Sequence, residues 1–132
     1  MSSIFRKIIN NEVEFYKIYE TDKAIAFLDI FPVKPGHTII IPKTDADIEN
    51  WVDIDSDHYN AVHDLARIIA PAIQKATGCL KVGQKVDGRD IKHFHLHLIP
   101  LFENHGFSHQ SGYTPNNSDF LEMQAKIKSF LD

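Results

Sequence analysis

From His93 to Leu98 the chain alternates strictly between histidine and a large apolar residue, His93-Phe94-His95-Leu96-His97-Leu98, and then runs into Ile99-Pro100. A period of two belongs to an extended strand, in which successive side chains point to opposite faces. Phe94, Leu96 and Leu98 then enter a core, while His93, His95 and His97 share the other face and line an open or cleft-facing surface. The fold around this segment has to cover one side of a strand and leave the other reachable.

The neighbouring segments supply the rest of a sheet. "EFYKIYE" (14 to 20) and "KAIAFLDI" (23 to 30) read as strands joined through Thr21-Asp22, "HTIIIP" (37 to 42) as a third after the Pro35-Gly36 turn, and "CLKVGQKV" (79 to 86) and "IKHFHLHLIP" (91 to 100) as two more. Connections this short exclude crossovers, so neighbouring strands should be mostly antiparallel. Between them Val62, Leu65, Ala66, Ile69 and Ile73 recur at helical spacing, with Ser56 or Asp57 as cap, Gly78 as stop and a kink expected at Pro71. Ser2 or Ser3 caps a short helix carrying Ile4, Phe5, Ile8 and Ile9, and Phe120, Met123, Ile127 and Phe130 mark a C-terminal helix after Asn116. The expected fold class is α+β: about five mainly antiparallel strands, a main helix and terminal helices.

The 132 residues, 43% hydrophobic and 24% charged, suit one domain over 1–132. A net charge of −4 lacks the basic footprint of a nucleic-acid binder, so any anionic ligand must be attracted locally. No apolar run approaches the roughly 20 residues of a membrane span. The single Cys79 and the early charges of "MSSIFRKIIN" point to a cytoplasmic protein without disulfides.

Three imidazoles on one face admit two chemistries. Imidazoles at i and i+2 can bind zinc, with His37, Asp90, Glu103 and His105 as further ligands, although no carboxylate or cysteine stands at a recognisable short spacing. Alternatively one imidazole, held in a single tautomer by a backbone carbonyl, attacks an electrophile while its neighbours donate to the anion. That arrangement suits phosphorus, where catalysis is positioning plus charge stabilisation.

"HFHLHLIP" matches the signature of the histidine triad (HIT) superfamily, and "SIFRKIINNEVEFYKIYETDKAIAFLDIFPVKPGHTIIIPK" (3 to 43) resembles its N-terminal half. The likeness covers about residues 3 to 100 and is nearest to the Hint branch and its bacterial relatives; residues 101–132 read as a loop plus the C-terminal helix. It implies a nucleotide hydrolase or transferase without a cofactor, in which His95 attacks the α-phosphate of a purine (AMP-like) nucleotide conjugate. His93 would orient His95 through its carbonyl, His97 would donate to the phosphate, and His37 would support that network. Asp29, otherwise read as a turn former, would accept from the ribose hydroxyls. Phe5, Ile8, Val13, Phe27, Leu28 and Ile30, core residues by periodicity, would form the nucleoside slot. The family is typically a homodimer. Nucleoside phosphoramidates, dinucleoside polyphosphates, or nucleotide binding with little catalysis are the activities it leaves open.

The departures are informative. Relatives with a structural zinc site carry ligands where this chain has Ser3, Arg6 and Thr44-Asp45, so that metal is not expected. The loop before the triad usually offers Gly-Gln-Ser/Thr. Here Arg89 and Asp90 stand there, with Gln84 as stand-in for the preceding amide, Arg89 as a phosphate clamp, and Asp90 repelling phosphate unless paired with Arg89 or Lys92.

Overall fold

Strands β2 (Ala24–Leu28) and β3 (Thr38–Pro42) are buried at every position, because the sheet they sit in is covered on both faces. The computed structural model describes residues 3–103 and 106–131. In chain order it comprises α1 (Ile4–Ile9), β1 (Lys17–Glu20), β2, β3, a single 3-10 turn (Trp51–Asp53), α2 (Ser56–Thr77), β4 (Lys81–Lys85), β5 (Leu96–Leu101) and α3 (Asn117–Lys128). The strands lie in the order β1-β2-β3-β5-β4, and every neighbouring pair is antiparallel. The α+β class and the five-stranded sheet expected from the sequence are what forms.

The pleat sorts side chains between the two faces. Ala24, Ala26 and Leu28 of β2, Ile40 of β3, and Phe94, Leu96 and Leu98 pack against Val62, Leu65, Ile69 and Ile73 of α2 and against Phe120 and Ile127 of α3. Ile25, Phe27, Ile39 and Ile41 turn the other way and meet Phe5 and Ile8 of α1. Burying a Leu, Ile or Phe contributes about 1.5–3 kcal/mol, so the α2 side is where most of the stability resides.

Helix ends lie within a residue or two of their sequence signals. Ser3 Oγ accepts from Arg6 N at 3.1 Å at the start of α1. The cap of α2 is Asp55 rather than Ser56 or Asp57, with Oδ2 accepting from His58 N at 3.0 Å, and Gly78 closes it at φ +71°. Pro71 does not end α2. It faces solvent beside exposed Arg67, where water can take the carbonyl its missing N–H leaves unpaired. In α3 an Asn116–Asp119 capping box sets the start, and Phe130, expected on its apolar face, lies beyond the last turn and is exposed. Gly36 is required: φ is +90°, and a Cβ there would lie 2.7 Å from Thr77 Cγ2. Among the described residues no helix is long and apolar enough to cross a membrane.

Candidate active site

The triad segment does not form one continuous strand. β5 begins only at Leu96; upstream, His93 N bonds back to Ile91 O at 2.9 Å and Phe94 N to Ile48 O at 2.7 Å. The chain therefore bends out of the sheet at His93, which still packs on the Phe5 side with His95 but, unlike His95 and His97, does not border the open cleft. His93 is fully buried. Its Nδ1 lies 2.7 Å from Asp47 Oδ1 and its Nε2 3.2 Å from Pro42 O, so oxygen acceptors stand against both ring nitrogens. Asp47 in turn accepts from Ser3 N and Oγ at 3.1 and 3.0 Å and stands 3.6 Å from Arg6 Nε. Burial acts to raise the Asp47 carboxyl, but the hydrogen bonds from His93 and Ser3 outweigh it and hold it below the usual carboxylate range.

With its ring fixed in this way, His93 presents its own carbonyl to His95 Nδ1 at 2.8 Å. A carbonyl only accepts, so His95 carries its proton on Nδ1 and leaves the Nε2 lone pair bare. His95 Nε2 is buried and has no hydrogen-bond partner, and the Phe5 ring packs edge-on against the imidazole at 4.9 Å. An uncompensated buried polar atom is costly, and here it is a lone pair aimed at a cavity.

A second chain of tautomers starts at a backbone amide. Val33 N–H donates to His37 Nδ1 at 3.0 Å, which places the His37 proton on Nε2. That nitrogen lies 2.9 Å from His97 Nδ1 and donates to it, leaving His97 with Nε2–H as its remaining donor. Burial, with lesser contributions from Lys85 and His95, pushes the His37 pKa down to about 4. Burial first, then His37 and His95, lowers His97 to about 4. Both rings are neutral at pH 7, as the chain requires.

Asp29 follows β2. Its Oδ1 accepts from Phe31 N at 2.9 Å, the turn-forming role its residue type suggests, while Oδ2 faces His37 Nε2 at 3.4 Å. Burial raises its carboxyl above the ordinary range. Asp29, His37, His95 and His97 border a cavity of about 890 Å³. Phe5, Ile8, Val13, Phe27, Leu28 and Ile30, all anticipated, border it as well, although the Leu28 side chain belongs to the α2 core and Ile30 is half exposed. The walls are apolar and the floor carries imidazole, as expected of a small-molecule site.

The loop between β4 and the triad differs from its expected arrangement. Lys85 pairs with His97 across β4 and β5, so Lys85 takes the cavity side and Gln84, opposite Leu98, faces α2 beside His63 and Arg67. Gln84 is therefore not part of the site: a one-residue step on a strand exchanges faces. Arg89 pairs neither with Asp90 nor with a site group; its Nε and a terminal nitrogen bond Asp87 at 2.6 and 2.8 Å and hold the Asp87 carboxyl down to about 2. Asp90 Oδ1 accepts from Ile91 N at 2.9 Å and stands 3.6 Å from His95 Nε2.

Asp29, His37 and His97 place three ligand-type atoms within 4.8 Å of one another. The tautomer of His37 opposes a metal there, since Val33 N–H occupies Nδ1 and the proton sits on Nε2, the atom a metal would need. Ser3 and His93 are hydrogen-bonded to Asp47, with Arg6 as its ion-pair partner, and the hydroxyl and guanidinium of this cluster do not fit zinc. Of the other metal candidates, Glu103 is exposed and outside the cavity lining, and His105 lies outside the described residues.

Asp47, Lys85 and Asp87 were missed. Asp47 is one acid in "TDADIEN" with no local pattern to single it out; Lys85 was within reach of the strand register.

Comparison with known proteins agrees with this geometry. The sequence matches the HIT domain family over residues 10–104. It is 35% identical over 116 residues to an uncharacterized HIT-like protein of Borreliella burgdorferi, covering 83% of this chain and 82% of that one. It is 36% identical over 98 residues to the adenosine 5'-monophosphoramidase of Saccharomyces cerevisiae, covering 74% of this chain and 61% of the yeast protein. The crystal structure of a Hit-like protein involved in cell-cycle regulation from Bartonella henselae superimposes with a TM-score of 0.84 at 30% identity, covering 96% and 94% of the two chains. With the motif, the sheet order and the histidine geometry in agreement, the chain belongs to the HIT family.

Proposed function

We propose that this protein is a nucleotidyl hydrolase that releases AMP or a related purine nucleotide from a phosphoramidate through a nucleotidyl-His95 intermediate, without a cofactor. The observation that carries the reading is the bare, buried lone pair of His95 Nε2 at the floor of an apolar-walled cavity. In the first step Nε2 forms a bond to the α-phosphorus as the P–N bond breaks, and the leaving nitrogen departs with that electron pair and a proton as an amine. His97 Nε2–H donates to a non-bridging phosphate oxygen, and Asp29 Oδ2 accepts from a ribose hydroxyl. Water then forms the new P–O bond, the His95–phosphorus bond breaks, and the nucleotide leaves. The activity of the yeast relative supports the substrate class. Dinucleoside polyphosphates are the alternative substrates of the same chemistry.

A second reading, a nucleotide-binding module with little catalysis, is favoured by Asp90 standing 3.6 Å in front of the nucleophile. Acid-free quenching during turnover of adenosine 5'-phosphoramidate, followed by mass spectrometry of the peptide bearing His95, decides between them. An adenylate on His95 is expected; AMP binding with neither adduct nor turnover would establish the binding module. A homodimer is part of the proposal, supported by the open edge of β4 and the exposed Leu80 and Val86 that flank it. Light scattering should return twice the chain mass.

A further inference from the structure

The four residues that close the cavity on the triad side, Lys85, Asp87, Arg89 and Asp90, carry two charges of each sign. They are not equivalent. Asp87 and Arg89 satisfy each other through a two-pronged ion pair and turn outward, with the Arg89 side chain 88% exposed. Lys85 stands opposite His97, on the floor side where the phosphate would lie. Asp90 is left as the charge nearest the nucleophile, its Oδ1 3.6 Å from His95 Nε2; that oxygen also accepts from Ile91 N, and the side chain is 70% exposed. Glu14 and Asp29 are the other charged residues bordering the cavity.

The direction of the displacement assigns a place to that carboxylate. His95 is anchored through Nδ1 at the floor, so an in-line displacement puts the leaving group on the solvent side of phosphorus. Asp90 reaches in from that rim. An arriving phosphoryl group displaces the carboxylate from Nε2 toward the position of the leaving group, where it meets whatever charge the leaving group carries.

We infer that Asp90 is a specificity residue that selects cationic amine leaving groups and disfavours anionic, polyphosphate ones. This rests on the phosphoramidate reading above and narrows it. The carboxylate accepts an N–H from the protonated leaving nitrogen, which departs as a neutral amine with the P–N electron pair. A diamine or lysine-like leaving group retains a second ammonium that keeps the interaction through bond cleavage. A nucleoside diphosphate leaving group would meet the same carboxylate as a like charge, so discrimination arises from attraction to one class and repulsion of the other.

The test is the ratio of kcat/KM for the adenosine phosphoramidate of a diamine to that for diadenosine triphosphate, measured in the unchanged protein and in Asp90→Asn and Asp90→Ser. The unchanged protein should favour the diamine conjugate, and both substitutions should lower the ratio about tenfold, as expected for one partly solvated charge acting in both directions. The phosphoramidate of a neutral monoamine should fall between the two substrates. AMP affinity, measured calorimetrically, should stay within about twofold, showing that the pocket is folded. A ratio unmoved by both substitutions overturns the role of Asp90 while leaving the hydrolase reading intact. If the unchanged protein cleaves none of the phosphoramidates, the function itself fails and this inference with it.

Discussion

The two faces of the sheet are covered by helices of very different reach. On one side α2, with 22 residues, and α3 fill the surface with Val62, Leu65, Ile69, Phe120 and Ile127 and leave hydrocarbon against hydrocarbon. On the other, the six residues of α1 pack Phe5 and Ile8 on β2 and β3 and Phe5 against His95, and the cavity opens beside that short helix. The stripe of imidazole falls on the under-covered side. One face of the same strands thus stores stability and the other tolerates a bare lone pair, and the difference follows from helix length rather than from strand composition.

Breaking the chemistry of the open face should give the largest effect. His95→Gly is expected to lower kcat by roughly 10⁴-fold or more while AMP affinity changes little, read by steady-state kinetics with calorimetric binding. The reverse pattern, lost affinity with retained kcat, would make His95 a wall residue.

The next experiment compares the faces directly. Ile69→Ala, on the closed side, should cost about 3–4 kcal/mol of stability in chemical denaturation and leave KM near its original value. Ile8→Ala, at the cavity wall, should cost about 2 kcal/mol and raise KM. Equal effects on KM would mean that the two faces are not energetically separate.

Acid should also single out the open face. His37 and His97 hold pKa values near 4 in the folded chain against 6.5 as the ordinary value. Between those limits the unfolded state binds more protons, so stability is fully present above pH 6.5 and falls as pH drops toward 4, by at most roughly 3 kcal/mol per ring. The raised carboxyl of Asp29 opposes part of this loss. Denaturation at pH 7.5, 6 and 5 reads the slope, and His37→Asn should flatten it.

The smallest expected effect belongs to Asp47, which acts on His95 only through His93. Asp47→Asn should lower kcat about tenfold with KM unchanged, while Asp47→Glu should restore part of the rate. Loss of binding and rate together, without rescue by Glu, would reduce Asp47 to a structural role.

How much of this was legible depends on the range of each interaction. The period of two in "HFHLHLIP", the helical spacing from Val62 to Ile73 and the glycine at position 78 are local signals, and the elements form where they point. The face shared by His95 and His97 was legible for the same reason. The full burial of His93 was not legible, because a bend held in part by Ile48 O is a contact between segments that no side-chain alternation encodes. Gln84, expected as the stand-in for the amide before the loop, lies on the α2 face because parity depends on register, which the partner strand sets. The Arg89–Asp87 pair displaced the expected partners of Asp90 for a similarly spatial reason.

The sequence by itself determined the elements, the antiparallel pairing of strands joined by short connections and the residues able to do chemistry, because those follow from period, connection length and side-chain type. Only the tertiary structure decided which imidazole is free. That required Asp47 and Pro42 to occupy both nitrogens of His93, the His93 carbonyl to take His95 Nδ1, and the Val33 amide to fix the tautomers of His37 and His97. Hydrogen bonds between residues as much as 60 positions apart assign those protons, and such distances close only when the chain folds.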